Sequence, residues 1–249
     1  MGKFGVQSWA ERLWRTNNTA DIARGRVPGT RPFAAFGERV TTGAATDHIL
    51  WETGMPNTLT IPKSVQMSFV STGADTRGFK LVYLDEDLVE RTEVVTLNGT
   101  TPVLTQATDI RFINILYSLN GPLPDRVVTV TSGGVQFARV NAGDVQFNQA
   151  MYRVPKDRRL MVTSLYAGSA SASSDARMVV KFETTFYNGD RFGEEGILHP
   201  VGGVALQDSA TTLSANPFPI PAGEIIAFTF KTDKGADVIG GFFGFTEPE

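Results

Sequence analysis

The chain has 249 residues, with 23 Lys or Arg against 26 Asp or Glu for a net charge of −3, and it contains no cysteine. A chain of this length buries roughly 70–75% of the surface its unfolded form exposes, so it needs no covalent staple; the missing thiol excludes disulfides, thiolate nucleophiles and Cys-ligated zinc or iron–sulfur clusters. His48 and His199 are the only histidines, so a metal centre would have to rest on carboxylates, which disfavours zinc and leaves calcium open.

The charge is unevenly placed. Residues 1–31 hold six basic side chains (Lys3, Arg12, Arg15, Arg24, Arg26 and Arg31) against Glu11 and Asp21, a basic arm of +4 on a body of −7. No apolar stretch reaches the roughly 18 residues that span a bilayer, and the start lacks the basic-then-apolar pattern of a signal peptide, so no membrane partner is expected. The 25 Gly and 13 Pro, with 17 Phe and many Thr and Val, describe strands joined by tight turns rather than a helical bundle.

Within the arm, Ser8-Trp9-Ala10-Glu11 has capping-box spacing, Trp9 and Leu13 fall on one face at i,i+4, and Asn17-Asn18 favours an early stop. This spacing predicts a helix of about two turns, too short to persist in water without a surface to lie on. Arg24-Gly25-Arg26-Val27-Pro28-Gly29-Thr30-Arg31-Pro32 then leaves little room for regular structure. Residues 32–56, with Phe33, Phe36, Ile49, Leu50, Trp51 and Met55 among Gly and Thr, read as chain ordered by a body or a neighbouring subunit.

Strand texture begins at Leu59. Val65–Phe69, Phe79–Leu84 and Thr92–Leu97 alternate, and Asn98-Gly99 is placed to supply the two positive-φ residues of a type I′ hairpin with Thr101 and Val103 on the return. Ile110–Tyr117, Arg126–Thr131 and Val135–Val140 continue the series. Val145–Arg153, Leu160–Tyr166, Arg177–Tyr187, Gly203–Leu206, Glu224–Thr232 and Val238–Phe245 repeat it. Ile61-Pro62-Lys63, Val154-Pro155-Lys156 and Ile220-Pro221 form a weak internal echo, each proline standing where a strand can enter without a donor. The expected architecture is all-β: two tandem antiparallel β-sandwich modules, jelly-roll-like, over residues 57–147 and 148–249, behind an extended N-terminal arm over 1–56.

Candidate chemistry is sparse. Asp85-Glu86-Asp87 is the densest acidic run, lacks EF-hand spacing, and reads as a hairpin tip before it reads as a calcium loop. Glu194-Glu195 with Asp190 is the sharpest carboxylate set to nominate for glycoside hydrolysis, and His199 with Asp208-Ser209 supplies the residue types of a triad; neither has a supporting motif. Thr41-Thr42-Gly43 is not a phosphate loop, and His48 beside Ile49-Leu50-Trp51 reads as a packed histidine. Tyr166, Phe186, Tyr187 and Phe192 are candidates for stacking on a sugar, against a composition in which Phe outnumbers Tyr and points to core filling. The arm offers the most coherent candidate site: Trp9, Leu13 and Trp14 as apolar anchors, with Arg12, Arg15, Arg24 and Arg26 selecting an acidic protein surface in preference to nucleic acid.

Glu93–Val103, followed by Arg111-Phe112-Ile113-Asn114, resembles the TETVTLNGTTPV strand–turn–strand and later RINR-like strand of a family of tailed-bacteriophage virion proteins. Ile61-Pro62 and Phe79–Leu84 stand in compatible places. Tyr152-Arg153-Val154-Pro155 with Leu160–Tyr166 is similar to the family's YTVPAG…YLTSL portion, with Lys156-Asp157 replacing the usual Ala-Gly turn. The resemblance covers about 100 residues. It implies a noncatalytic virion component, with no catalytic residue and no cofactor. Head decoration or capsid cementing is the preferred role: a homo-trimer whose arm reaches the major capsid protein or another virion protein. A neck or tail adaptor, or a host-glycan-binding module, stands as the alternative.

Overall fold

The computed structural model describes residues 21–22, 24–41, 44–56, 60, 62–123, 125–171, 178–184, 199–206 and 210–249. They form an all-β fold in which every strand pairing is antiparallel. In chain order the strands are β1 (Arg31–Thr41), β2 (Ala44–Ile49), β3 (Ser68–Ser71), β4 (Gly78–Leu84), β5 (Glu90–Thr96), β6 (Val103–Leu104), β7 (Phe112–Ser118) and β8 (Val128–Ser132). They continue through β9 (Val135–Val140), β10 (Met151–Arg153), β11 (Arg158–Ser171), β12 (Met178–Thr184), β13 (His199–Leu206), β14 (Ala210–Ile220), β15 (Ile225–Thr232) and β16 (Ala236–Pro248).

Four sheets result. The middle of the chain builds β6-β3-β8-β9 and β5-β4-β7, whose inward residues, among them Phe69, Leu81, Val95, Leu116 and Val130, join one core. The ends of the chain build β1-β16-β11-β14 and β10-β15-β12-β13, with β2 beside β15, around a second core of Val162, Phe228, Phe242 and their neighbours. β15 belongs to both cores. Ile225 and Ala227, with Met151 of β10, face the first; Ile226, Phe228 and Phe230, with Tyr152, face the second. A strand covered on both faces needs a continuous apolar run instead of alternation, and Ile225-Ile226-Ala227-Phe228 is one.

The expected strand Val135–Val140 is present as β9, and several others are present with shifted ends, β4, β7, β8, β15 and β16 among them. The form of the arm is the main correction. Residues 32–56, expected to be ordered by a body or a neighbouring subunit, are ordered by this chain's own body, as strands and not as an extension: Arg31 pairs with Thr246 and the ladder runs to Thr41 opposite Ala236, while β2 pairs with β15. Gly37, which gave the segment its loop-like texture, is required by a close approach, since a Cβ there would overlap the Leu50 carbonyl and crowd the Ala150 amide. A glycine at such a spot marks two backbones in contact and not a break in the strand.

The Asn98-Gly99 turn is the second correction. Thr101 N donates to Asn98 O at 3.0 Å, so Gly99 and Thr100 are the central residues and, of the Asn98-Gly99 pair, only Gly99 has positive φ, at 58°. β5 and β6 do not pair as a hairpin; β5 lies beside β4 and β6 beside β3, so this turn carries the chain from one sheet to the other. The segment expected as the strand Val145–Arg153 divides in the same way. Val145 and Phe147 bond to Ser118 and Leu116, Gln149 bridges Trp51, and only Met151–Arg153 pairs with β15.

Asn114 joins β7 to β10 by imitating a ladder with its side chain. Its Nδ2 donates to Arg153 O at 2.9 Å and its Oδ1 accepts from Arg153 N at 2.9 Å, all buried. Replacing Asn114 by Ala leaves two buried backbone groups unmatched, so N114A is expected to lose about 2–4 kcal/mol of stability, read from urea unfolding midpoints at constant m. A loss under about 0.5 kcal/mol would show that the junction does not depend on this pair.

Candidate interaction surface

Trp9, Arg12, Leu13, Trp14 and Arg15 lie outside the described residues, as do Asp190, Glu194, Glu195, Asp208, Ser209, Phe186, Tyr187 and Phe192. The part of the predicted arm site that is described begins at Asp21. Gly25 N donates to Ile22 O at 2.9 Å and Arg26 N to Asp21 O at 2.8 Å, with Gly25 at φ 68°. That pair of bonds around a left-handed glycine is the Schellman closure of a helix C-terminus. Arg26 spends part of its charge locally, its Nη1 lying 3.2 Å from Asp21 Oδ1 with both side chains well exposed, while Arg24 stands in solvent.

Ile22, and not the ion pair, ties this segment to the body. An exposed pair contributes at most about 1 kcal/mol, whereas a fully buried Ile side chain is worth roughly 1.5–3 kcal/mol. Ile22 is buried at the rim of a cavity of about 330 Å³ lined by Pro32, Phe33, Ala34, Thr163, Phe243 and Phe245. The segment therefore meets the outer face of the β1-β16-β11-β14 sheet.

That face carries apolar side chains at one end and Glu38 and Asp237 toward the other. Along β1, Phe33 and Ala35 turn inward while Phe36 and Val40 turn outward; along β16, Val238 and Phe242 turn inward while Ile239 and Phe243 turn outward. Phe36 is 38% exposed and Phe243 40%, and their rings meet edge to face at 4.9 Å. Residues 239–245 of β16 thus divide between an internal face and an exposed one. Exposed apolar side chains grouped on one sheet face, as distinct from single scattered ones, make this a candidate interaction surface. Sequence periodicity alone could not find it, because inward and outward residues of β16 are equally apolar and only the pairing with β1 and β11 assigns the faces.

The other nominated residues are structural where they are described. Asp85 is buried at the β4–β5 turn, accepting from Asp87 N at 3.1 Å, Val89 N at 2.8 Å and Arg91 Nε at 2.9 Å. It shapes the turn, with Leu88 at φ 61°, in place of a freely solvated tip. His48 is packed, stacked on Phe230 at 5.5 Å. Tyr166 is half-buried on β11. Among the described residues no set of three or more His, Asp or Glu is placed to hold a metal ion, and no helix is long and apolar enough to cross a membrane.

No family model matches the chain, and no curated protein matches it. Among solved structures, one titled "Structure of infectious bursal disease virus Gt strain" is similar at a TM-score of 0.20 and 8% identity, over 88% of this chain and 73% of that one. A likeness at that level carries no inference about fold or function.

Proposed function

We propose that this chain is a noncatalytic structural protein of a tailed-bacteriophage virion, a cement or decoration protein that bridges capsid subunits on the head. In this reading its two sheet pairs are tandem jelly-roll-like sandwich modules, and it acts as a homo-trimer. The observation that carries the reading is the apolar outer face of β1 and β16, met at Ile22 by the basic N-terminal segment. A protein whose task is attachment needs such a face and a charged rim to orient it, and Arg24 and Arg26 stand on the chain between Ile22 and β1, with Arg31 at the first position of β1. The resemblance of Glu93–Val103 and Arg111–Asn114 to virion proteins supplies the setting.

The partner expected for the arm is the major capsid protein or another virion protein with an acidic surface. Deleting residues 2–20, which stops short of Ile22 and leaves β1 whole, is expected to abolish most binding to matching virions that lack this protein while leaving the circular dichroism of the body unchanged. Replacing Trp9 and Trp14 by Ala is expected to weaken attachment by about 2 kcal/mol or more, as truncated aromatic anchors do, whereas one exposed Arg costs under about 1 kcal/mol. Undiminished binding by the truncated chain would remove the arm from attachment. Loss of nucleic-acid binding alone, measured in parallel at low and high salt, would make the arm a phosphate-binding extension. Density at the neck or tail in a virion reconstruction would make the protein an adaptor in place of a head protein.

Trimer formation is expected to show as a concentration-independent threefold mass in light scattering. Replacing both Phe36 and Phe243 by Ser is expected to dissociate it with little change in melting temperature, because both side chains are already partly in water. A monomer over the whole concentration range would end the trimer assignment for the free protein.

A further inference from the structure

The chain crosses between the two pairs of sheets in residues 50–56 and again in 141–150, and the two crossings meet at Glu52. Glu52 is 4% exposed; its Oε1 accepts from Asn141 Nδ2 at 2.6 Å and its Oε2 from Asn148 N at 3.3 Å. Asn141 Nδ2 also donates to Thr53 O at 3.1 Å, and Thr53 Oγ1 accepts from Val40 N at 3.0 Å, so the contact extends to β1. Asn148 is shared: its backbone amide serves Glu52 while its side chain bonds Asp144.

The charged groups around Glu52 are mostly of its own sign. Asp144 faces it from the second crossing and Glu38 from β1, with Asp237 of β16 beside Glu38. The nearby cations are directed elsewhere. Arg39 of β1 gives its guanidinium to the carbonyls of Met55 at 3.0 Å and Pro56 at 3.4 Å, and Arg139 of β9 donates Nε to Asn141 Oδ1 at 2.6 Å. Among the described residues no ion pair is made to Glu52 by a Lys or Arg within 4 Å. A carboxylate withdrawn from water among other carboxylates favours its protonated form.

We propose that Glu52 is a proton-operated latch at the junction: protonated, it holds the two crossings together, and its ionisation beside Asp144 and Glu38 loosens residues 50–56 and 141–150 while the two cores stay folded. Burial, and after it the Asp144 charge, pushes Glu52 up to about 7, against the hydrogen bonds from Asn148 and Asn141 that favour the charged form. Burial also raises Asp144 and Glu38. Because the closed form binds the proton more tightly than the open one, the latch is at full strength below the ordinary Glu range near 4.5. It weakens as pH rises toward 7 and contributes nothing above it.

Hydrogen exchange of the full chain, followed by mass spectrometry at pH 5, 6, 7 and 8 and corrected for the intrinsic rate, tests it directly. Peptides covering 50–56 and 141–150 are expected to lose at least about tenfold in protection between pH 5 and pH 8, with β15 unchanged. In E52Q the same peptides should show no such dependence. In D144N, which removes the largest repelling charge, the transition should remain with its midpoint moved to lower pH. Equal protection of the two crossings across the range, or a pH dependence in E52Q matching that of the unaltered chain, overturns the latch. If E52Q fails to fold, D144N decides alone, and an unmoved midpoint overturns it.

Discussion

The structure depends on one strand being buried twice. β15 carries Ile225 and Ala227 into one core and Ile226, Phe228 and Phe230 into the other, so neither core is complete without it. Each of its large side chains contributes roughly 1.5–3 kcal/mol by burial, and truncating one such as Phe228 would cost about 3–5 kcal/mol through the added cavity. The consequence is mechanical as well as energetic. The two pairs of sheets share apolar contact and do not hang on a linker, so motion between them is confined to what the crossings at 50–56 and 141–150 allow.

Polar contacts decorate this apolar junction, and they are of two kinds. Asn114 and Arg153 exchange bonds that are satisfied at any ordinary pH, and Gln149 Nε2 donates to Ile113 O at 3.0 Å and Asn114 O at 2.8 Å. Arg153 is fully buried, and its guanidinium is pulled down to about 9 by burial and then by Arg111, which still leaves it charged near neutrality. Glu52 differs in kind, because its protonation state changes in the range where proteins work. One end of the junction is therefore fixed and the other is sensitive to protons.

The outer face of β1 and β16 stands on the opposite logic. Phe36 and Phe243 are held in place by the ladder beneath them and not by their own burial. Substitution there touches assembly more than folding, since little desolvation is lost in the isolated chain. The apolar surface and the basic segment of residues 1–31 meet at Ile22.

The sequence by itself determined the fold class and many of the strands, because alternation in Phe79–Leu84 and the continuous run of Ile225–Phe228 report local burial that no rearrangement of neighbours can reverse. It also located the basic segment, since charge is a property of composition. Tertiary structure decided the rest. Gly37 and Pro32 gave β1 the texture of a loop until β16 and the Leu50 carbonyl supplied the reason for them. Asn98-Gly99 gave the local signal of a hairpin, yet the chain uses the turn to change sheets, because β3 lies closer to the return than β5 does in the finished core. Glu52 carries no motif: its neighbours Asn141, Asp144 and Asn148 are some ninety residues away in sequence and meet it only when the two crossings are packed side by side. Short-range pattern encodes the buried face of a strand only where apolar and polar residues alternate, which β16 does not offer, and the environment of a single charge is set by long-range contacts that pattern does not contain.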